Sequence, residues 1–349
     1  MNDINYFKNI NRLLLIAEIG VNHNGNIKLA KELINSAIQS GADAVKFQTY
    51  RTECLVSQKT PKVAYQELTT PASENHFQML KNLELSFDEH LTLKNYCDSK
   101  SIKFLSTPYD VECASFLHEE LDIQMFKTAS ADLIDLPLHD YIASTGKPSI
   151  ISVGMATIDE IEQTLEIYKK AKNSNIILLH CVSNYPCTPS SLNLRNLCTL
   201  QDSFDLPVGF SDHSLGSEAA TLSVALGAKV IEKHFTLNKN LEGPDHLASS
   251  NPDEFKILKN SIRLAEIMLG SKEKKCQLEE SQMRKISRKS ISLKRDLIKG
   301  DIIKKEDICC LRPGYGISPM ELPKVIGSTL KNNLPAETQL NWHHLIINS

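Results

Sequence analysis

The chain has 349 residues, 41% hydrophobic and 23% charged, with a formal net charge of -3. This is a soluble globular composition with room for one large core and a smaller unit, and a pI near 6.4 gives no reason to expect a nucleic-acid partner. The N-terminal MNDINYFKNINR is polar, LLLIA is too short for a secretory core or a membrane span, and nine cysteines lack CxxC spacing, so a cytoplasmic chain with reduced thiols and no membrane contact is expected.

From residue 12 to about 270, short apolar runs alternate with longer amphipathic stretches. The runs are 13–19, 43–49, 102–108, 124–130, 149–154, 175–181, 207–212 and 229–235. They are near-continuous and β-rich, as parallel strands covered on both faces should be. Between them IKLAKELINSAIQSG, FDEHLTLKNYCDSK, TIDEIEQTLEIYKKAK and SEAATLSVALG read as helices, several opening on Asp, Ser or Thr and closing on Gly or Lys. Eight such βα repeats in this length predict an α/β fold, a (β/α)8 TIM barrel over 1–270. A doubly wound sheet is the alternative, but no glycine fingerprint follows the first strand.

The segment 271–312 carries 13 Lys+Arg against 7 Asp+Glu, a balance of +6 that leaves -9 for the rest. Residues 271–287 read as a linker and 288–349 as a small β-rich second domain. A basic run of this kind is more often a solvated face than a nucleic-acid contact.

Function in such barrels collects at the C-terminal strand ends. The polar residues there are Glu18, Lys46, Gln48, Ser106, Thr107, Lys127, Ser130, Ser152, His180, Tyr185, Ser211, Asp212, His213, Glu232 and His234. Singly, each has a bland explanation, such as an ion-paired lysine or a satisfied core histidine. Together they do not, because buried charges cost several kcal/mol each unless paired. Glu232 and His234 alternate on one strand, as Ser211 and His213 do on the preceding one. Adjacent strands lie about 5 Å apart, so His213 and His234 are expected to meet and to hold a divalent metal, with Glu18 or Asp212 joining or nearby. Two lysines and several hydroxyls suggest an anion cradle.

The motifs AEIGVNHNG, DAVKFQT, FLSTP, SVGMATIDEI, FSDHS, IEKHF, GPDHLAS and RPGYGISP, in this order, resemble the sialic acid synthases, the NeuB-type nonulosonate synthases. The resemblance spans essentially the whole chain, and the tail resembles their antifreeze-like SAF domain. It implies condensation of phosphoenolpyruvate with an N-acetylated amino-sugar aldehyde to a nine-carbon 2-keto acid and phosphate, through C–O cleavage. It implies a divalent metal, commonly Mn²⁺ with Mg²⁺ or Co²⁺ as alternatives, held by His213 and His234. By motif, Lys46 and Lys127 hold phosphoenolpyruvate, Thr107, Ser130, Ser152 and Ser211 supply the hydroxyl cradle, and Gln48, Tyr185 and Asp245 face the sugar. Glu18 and Glu232 are the active-site carboxylates. Arg312 resembles an arginine that enters the partner's barrel, which implies a domain-swapped homodimer.

KTASAD, with Ala131 and Asp132, departs from a common KIPSGE, and Ser183 stands where Thr or Asn is frequent. Both changes bear on the choice of sugar more than on reaction type. N-acetylmannosamine would give N-acetylneuraminate, and a 2,4-diacetamido-trideoxyhexose would give legionaminate or pseudaminate. The wording GPDHLAS and RPGYGISP favours the neuraminate and legionaminate branch. The rivals are a Schiff-base pyruvate lyase using Lys127 and an ice-binding module, the latter opposed by the charged LKRDLIKGDIIKKED.

Overall fold

The computed structural model describes residues 5–71 and 73–347; Met1–Ile4 of the polar N-terminus and Ala72 of the long second loop lie outside them. The chain divides into two compact units, Met1–Gly270 and Ser271–Ser349. The first carries β1 (Leu14–Gly20), β2 (Ala44–Thr49), β3 (Lys103–Pro108), β4 (Phe126–Thr128), β5 (Ser149–Ser152), β6 (Ile176–Cys181), β7 (Val208–Asp212) and β8 (Val230–His234). All ladders are parallel, in the order β3-β2-β1-β8-β7-β6-β5-β4. β3 and β4 touch at the seam and close the sheet into a ring. The expected eight-stranded barrel is present; β4 is only three residues long, shorter than the run 124–130 suggested.

Each strand feeds a helix. α1 (Ile27–Ser40) follows β1, and Asn26 caps its start by accepting from the Lys28 and Leu29 amides. Gly41 ends it at φ 89°, a left-handed stop that a side chain would strain. The long connection after β2 holds α2 (Thr52–Leu55), α3 (Ala64–Thr69) and α4 (His76–Leu83) before the barrel helix α5 (Phe87–Ser99). Then come α6 (Val111–Ser115), α7 (Leu136–Ser144), α8 (Ile158–Lys170), α9 (Asn196–Phe204), α10 (Glu218–Ala225) and α11 (Pro252–Leu269). The capping boxes Ser86/Glu89, Thr157/Glu160 and Asn251/Glu254 set the starts of α5, α8 and α11.

Strand alternation sorts the side chains into two layers. Leu15, Ala17, Val45, Phe47, Ile151, Leu178 and Ile231 pack outward under the helices in the main core. Leu14, Ile16, Ala44, Leu105, Met125, Ile150, Ile177, Leu179 and Val230 fill the barrel interior, joined by Phe7 from an N-terminal 3₁₀ turn. That turn is tied down by Asn5, whose amide donates to the carbonyls of Ser174 and Ile176 at 2.7 and 2.9 Å. Gly209 is required in this interior, because a Cβ there would collide with Leu179 and with the Val230 carbonyl. One register step further along each strand the interior turns polar.

The second unit has its own core, including Ile291, Leu293, Ile303, Val325 and Leu340. β9 (Ser290–Leu293) pairs antiparallel with β10 (Ile308–Leu311), and β11 (Thr329–Leu330) with β12 (Leu345–Ile346). Its helices are α12 (Ser281–Ser287), inside the stretch expected to be a linker, and α13 (Leu322–Val325). Among the described residues no helix is long and apolar enough to cross a membrane.

Candidate active site

The polar layer lines a cavity of about 330 Å³ at the C-terminal strand ends. Glu18, Lys46, Thr107, Lys127, Ser152 and Ser211 reach it from six different strands and Glu232 and His234 from β8, with Gln48, Ser130, Tyr185 and His213 among the remaining wall residues. Alternation explains the convergence: Glu18, Lys46, Thr107, Lys127, Ser152 and Glu232 each stand two positions beyond an apolar inward neighbour, such as Ile16 before Glu18 and Val230 before Glu232.

Two ammonium groups and two carboxylates are buried together. Lys46 Nζ lies 2.9 Å from Glu18 Oε2 and 3.8 Å from Glu232 Oε1, and donates to Thr107 Oγ1 at 2.8 Å. Lys127 Nζ donates to Ser152 Oγ at 2.7 Å and to the Thr128 carbonyl at 2.9 Å, and stands 3.7 Å from Glu232 Oε1. Ser211 Oγ donates to Glu232 Oε1 at 3.2 Å, and Gln48 Nε2 to Glu18 Oε1 at 3.3 Å. Glu232 Oε2 accepts no hydrogen bond, whereas Glu18 Oε2 faces the Lys46 ammonium. Ser130 and Ser183 share one at 2.8 Å.

Burial drives the Glu18 carboxyl up to about 7, despite the opposing Lys46 ammonium. Burial acts the same way on Glu232, but Lys127 and Lys46 together hold that carboxyl below its ordinary value. The two acids are therefore set apart, one ready to exchange a proton near neutrality and one kept ionised. Burial raises Asp245 to about 6.

The two histidines meet as expected, with ring centroids 5.7 Å apart and planes at 59°. His213 Nδ1 donates to the Val182 carbonyl at 2.7 Å, which fixes its tautomer and leaves Nε2 with a lone pair. Ser211 Oγ is 3.3 Å from that nitrogen but already donates to Glu232. His234 Nδ1 is buried without a hydrogen-bond partner, 3.9 Å from Asp245 Oδ2. Burial pushes His213 down to about 4 and His234 well below its usual value, so both imidazoles are neutral at neutral pH, as metal ligation demands. Among the described residues no group of three or more His, Cys, Asp or Glu side chains converges as a metal cage. His234 Nδ1, buried without a partner, and the His213 imidazole are donors of the kind that can hold a divalent ion.

Three polar residues read from the strand ends face elsewhere. His180 has the outward parity of β6, stacks near Phe210 and bonds the Leu192 carbonyl at 2.6 Å. Asp212 is opposite in parity to Ser211 and forms a buried pair with Lys233 at 2.7 Å, so it does not join the histidines. Ser106 pairs with Thr49 at 2.6 Å behind the barrel wall. Asp245, buried, stands beside His234 and does not itself line the cavity. Arg312 is exposed in the second unit, directly after β10.

Several wall residues carry no strand-end signal and were missed. Val63 and Tyr65 come from the second loop, Tyr109 from the loop after β3, and Met155 from the loop after β5. Tyr65 lies 5.3 Å from Tyr185, whose ring stacks 4.1 Å from His213. In the sequence, 59–80 reads as a long second loop that helps cover the sugar, without single residues of it standing out.

The NeuB family model matches residues 33–274 and the SAF domain model residues 288–346. The chain belongs to the NeuB family. It is 46% identical over 335 residues to an N,N'-diacetyllegionaminic acid synthase of Legionella pneumophila, covering 95% of this chain and 94% of that one. An N,N'-diacetyllegionaminic acid synthase of Campylobacter jejuni is 42% identical, over 92% of this chain and 97% of its own. The crystal structure of an N-acetylneuraminic acid (sialic acid) synthetase from Leptospira borgpetersenii superposes with a TM-score of 0.70 at 35% identity, over 78% of this chain and 90% of that one. This NeuB-family protein is an enzyme of the nonulosonate synthase kind.

Proposed function

We propose that this enzyme condenses phosphoenolpyruvate with the open-chain aldehyde of a 2,4-diacetamido-trideoxyhexose, releasing phosphate and a legionaminate-type nine-carbon 2-keto acid. The observation that carries the reaction type is the cluster of Lys46, Lys127, Glu18 and Glu232 beside the paired imidazoles of His213 and His234. The legionaminate branch rests on the 46% identity to the Legionella enzyme, against 35% for the Leptospira sialic acid synthetase.

The residues divide the work as follows. Lys46 with Thr107, and Lys127 with Ser130 and Ser152, anchor the phosphate and carboxylate of phosphoenolpyruvate by charge-assisted hydrogen bonds. C3 of phosphoenolpyruvate forms the new bond to the aldehyde carbon, and the aldehyde oxygen takes up a proton. C2 is left with cationic character facing the ionised Glu232. Glu18, with its carboxyl near neutrality, accepts the proton of the water that adds to C2. The resulting adduct collapses to the ketone as the C2–O bond to phosphate breaks. A divalent ion at His213 and His234, Mn²⁺ being the expectation, would supply Lewis-acid polarisation of the sugar carbonyl. Gln48 and Tyr185 orient the sugar, with Asp245 acting from behind His234, together with Arg312 from the partner of a domain-swapped dimer. A Schiff base on Lys127 is disfavoured, since its nitrogen already donates to Ser152 and Thr128.

The test is a phosphate-release assay on chelator-stripped protein with phosphoenolpyruvate and, separately, the 2,4-diacetamido sugar or N-acetylmannosamine, with and without Mn²⁺. Metal-dependent release with the diacetamido sugar is expected. Release with N-acetylmannosamine alone would move the enzyme to the neuraminate branch. Borohydride trapping of pyruvate without phosphate release would make it a lyase.

A further inference from the structure

Asp212 and Lys233 line no part of the cavity and take no step in the proposed reaction, yet each is the chain neighbour of a histidine that does. Asp212 precedes His213, and Lys233 precedes His234. The two are register partners on β7 and β8, and parity sends their side chains away from the barrel interior. There they form a buried pair, 1% and 2% exposed, with Lys233 Nζ 2.7 Å from Asp212 Oδ2.

The pair also gathers the turn that follows β7. Lys233 Nζ donates to the Ser214 carbonyl and, at 3.2 Å, to that of Gly216. The other Asp212 oxygen accepts from the Ser214 amide at 2.8 Å and from its hydroxyl at 2.6 Å. All three ammonium protons and both carboxylate oxygens are thus spent on holding this turn against the end of β8. Desolvation offsets most of the attraction in such a pair, so added stability is a poor account of its presence. The rings on the inner side supply a better one. His234 Nδ1 has no hydrogen-bond partner, so the course of β8 decides where that ring stands. His213 lies just past the end of β7, between Asp212 and Ser214, and its Nδ1–H reaches the Val182 carbonyl at 2.7 Å.

We infer that Asp212 and Lys233 are a positioning pair: from behind the barrel wall they set the spacing of the His213 and His234 imidazoles, and with it the affinity for a divalent ion. This rests on the metal site proposed above and deepens it. Charge and geometry make opposite demands here. A buried ammonium repels a cation nearby, so by its charge alone Lys233 weakens the site and its removal would tighten it. As a fastening between the two strands it strengthens the site, and its removal loosens it.

The experiment titrates chelator-stripped protein with Mn²⁺ in the absence of substrates and reads the free ion by its electron paramagnetic resonance signal. Wild type is compared with Lys233→Met and Ser214→Ala, and with Phe7→Ala as a control that weakens the inner apolar core away from this turn. Lys233→Met is expected to raise the Kd for Mn²⁺ about tenfold or more. Ser214→Ala keeps the ion pair and loses one hydrogen bond to it, and should raise Kd about threefold. Phe7→Ala should leave Kd within about twofold of wild type. An unchanged or lower Kd in Lys233→Met would overturn the inference and leave the metal site intact. An equal loss in Phe7→Ala would overturn it too, by making the effect one of general loosening. Where Lys233→Met does not fold, Ser214→Ala decides, and wild-type affinity in that variant would overturn the positioning role. No binding of Mn²⁺ by wild type would overturn the metal site itself, and the inference with it.

Discussion

Lys46 and Lys127 are two ammonium groups of one cavity, held in different ways. Burial works against the charge of both. At Lys46 the carboxylates of Glu18 and Glu232 more than reverse it and raise the pKa, whereas at Lys127 burial prevails and lowers it. Lys127 leans on neutral partners, Ser152 and a carbonyl, and so has most to gain from an arriving anion. Lys127→Ala is therefore expected to raise the KM for phosphoenolpyruvate at least tenfold while changing that for the sugar severalfold less, a split that steady-state kinetics reads directly. Equal effects on both would remove Lys127 from the anchoring role. Sequence alternation located this cluster well, because a carboxylate and an imidazole two apart on an apolar strand have few other uses. The same rule failed at His180 and Asp212. Alternation gives the parity of a side chain but not which parity faces inward, and buried partners such as Lys233 make outward polar residues tolerable.

At the scale of elements, the eight strands and the helices α1, α5, α8 and α10 were legible because each carries its own hydrophobic period, whereas α6, α7, α9 and α11 were not read. α2, α3 and α4 were not, being three short helices in a loop whose order comes from tertiary contacts such as Tyr65 on Tyr185. The 3₁₀ turn at Tyr6–Asn9 was equally hidden, since a single Phe in a polar stretch has no periodicity to betray it. Yet Phe7 is fully buried and belongs to the barrel's inner core. Phe7→Ala should cost about 3–5 kcal/mol by loss of apolar burial and by the cavity left behind. Urea denaturation would show this as a lower midpoint at constant slope, with kcat little changed, since the turn lies with the apolar layer, away from the polar one. A loss below about 1 kcal/mol would mean that the interior closes over the gap unaided.

The whole molecule consists of two units, each with a core of its own. The tail's β content was readable from its short strand-like pieces and turns, but α12 lay hidden in a charged stretch that resembles a linker. The proposed role of Arg312 joins the two units across a dimer, and it can be separated from a role within one chain. Mixing Arg312→Ala with Lys127→Ala protein under conditions of subunit exchange should restore about a quarter of wild-type activity if the arginine acts in trans, because only mixed dimers then own one complete site. If it acts in cis, the mixture stays as inactive as its components.

The floor of the cavity is a set of internal pairs, two lysines against two carboxyls. Such a site can stand empty without gathering stray ions, and it closes again on itself when a guest departs. A substrate that brings both a phosphate and a carboxylate can engage both lysines at once and keep the internal pairs apart. Inorganic phosphate, once cleaved from its carbon skeleton, can occupy only one of those positions. In the proposed reaction the glutamates would then re-form their pairs with the lysines and loosen the leaving group. The four side chains that admit the donor would thus also favour release of the by-product, because the pairs they form at rest compete with it.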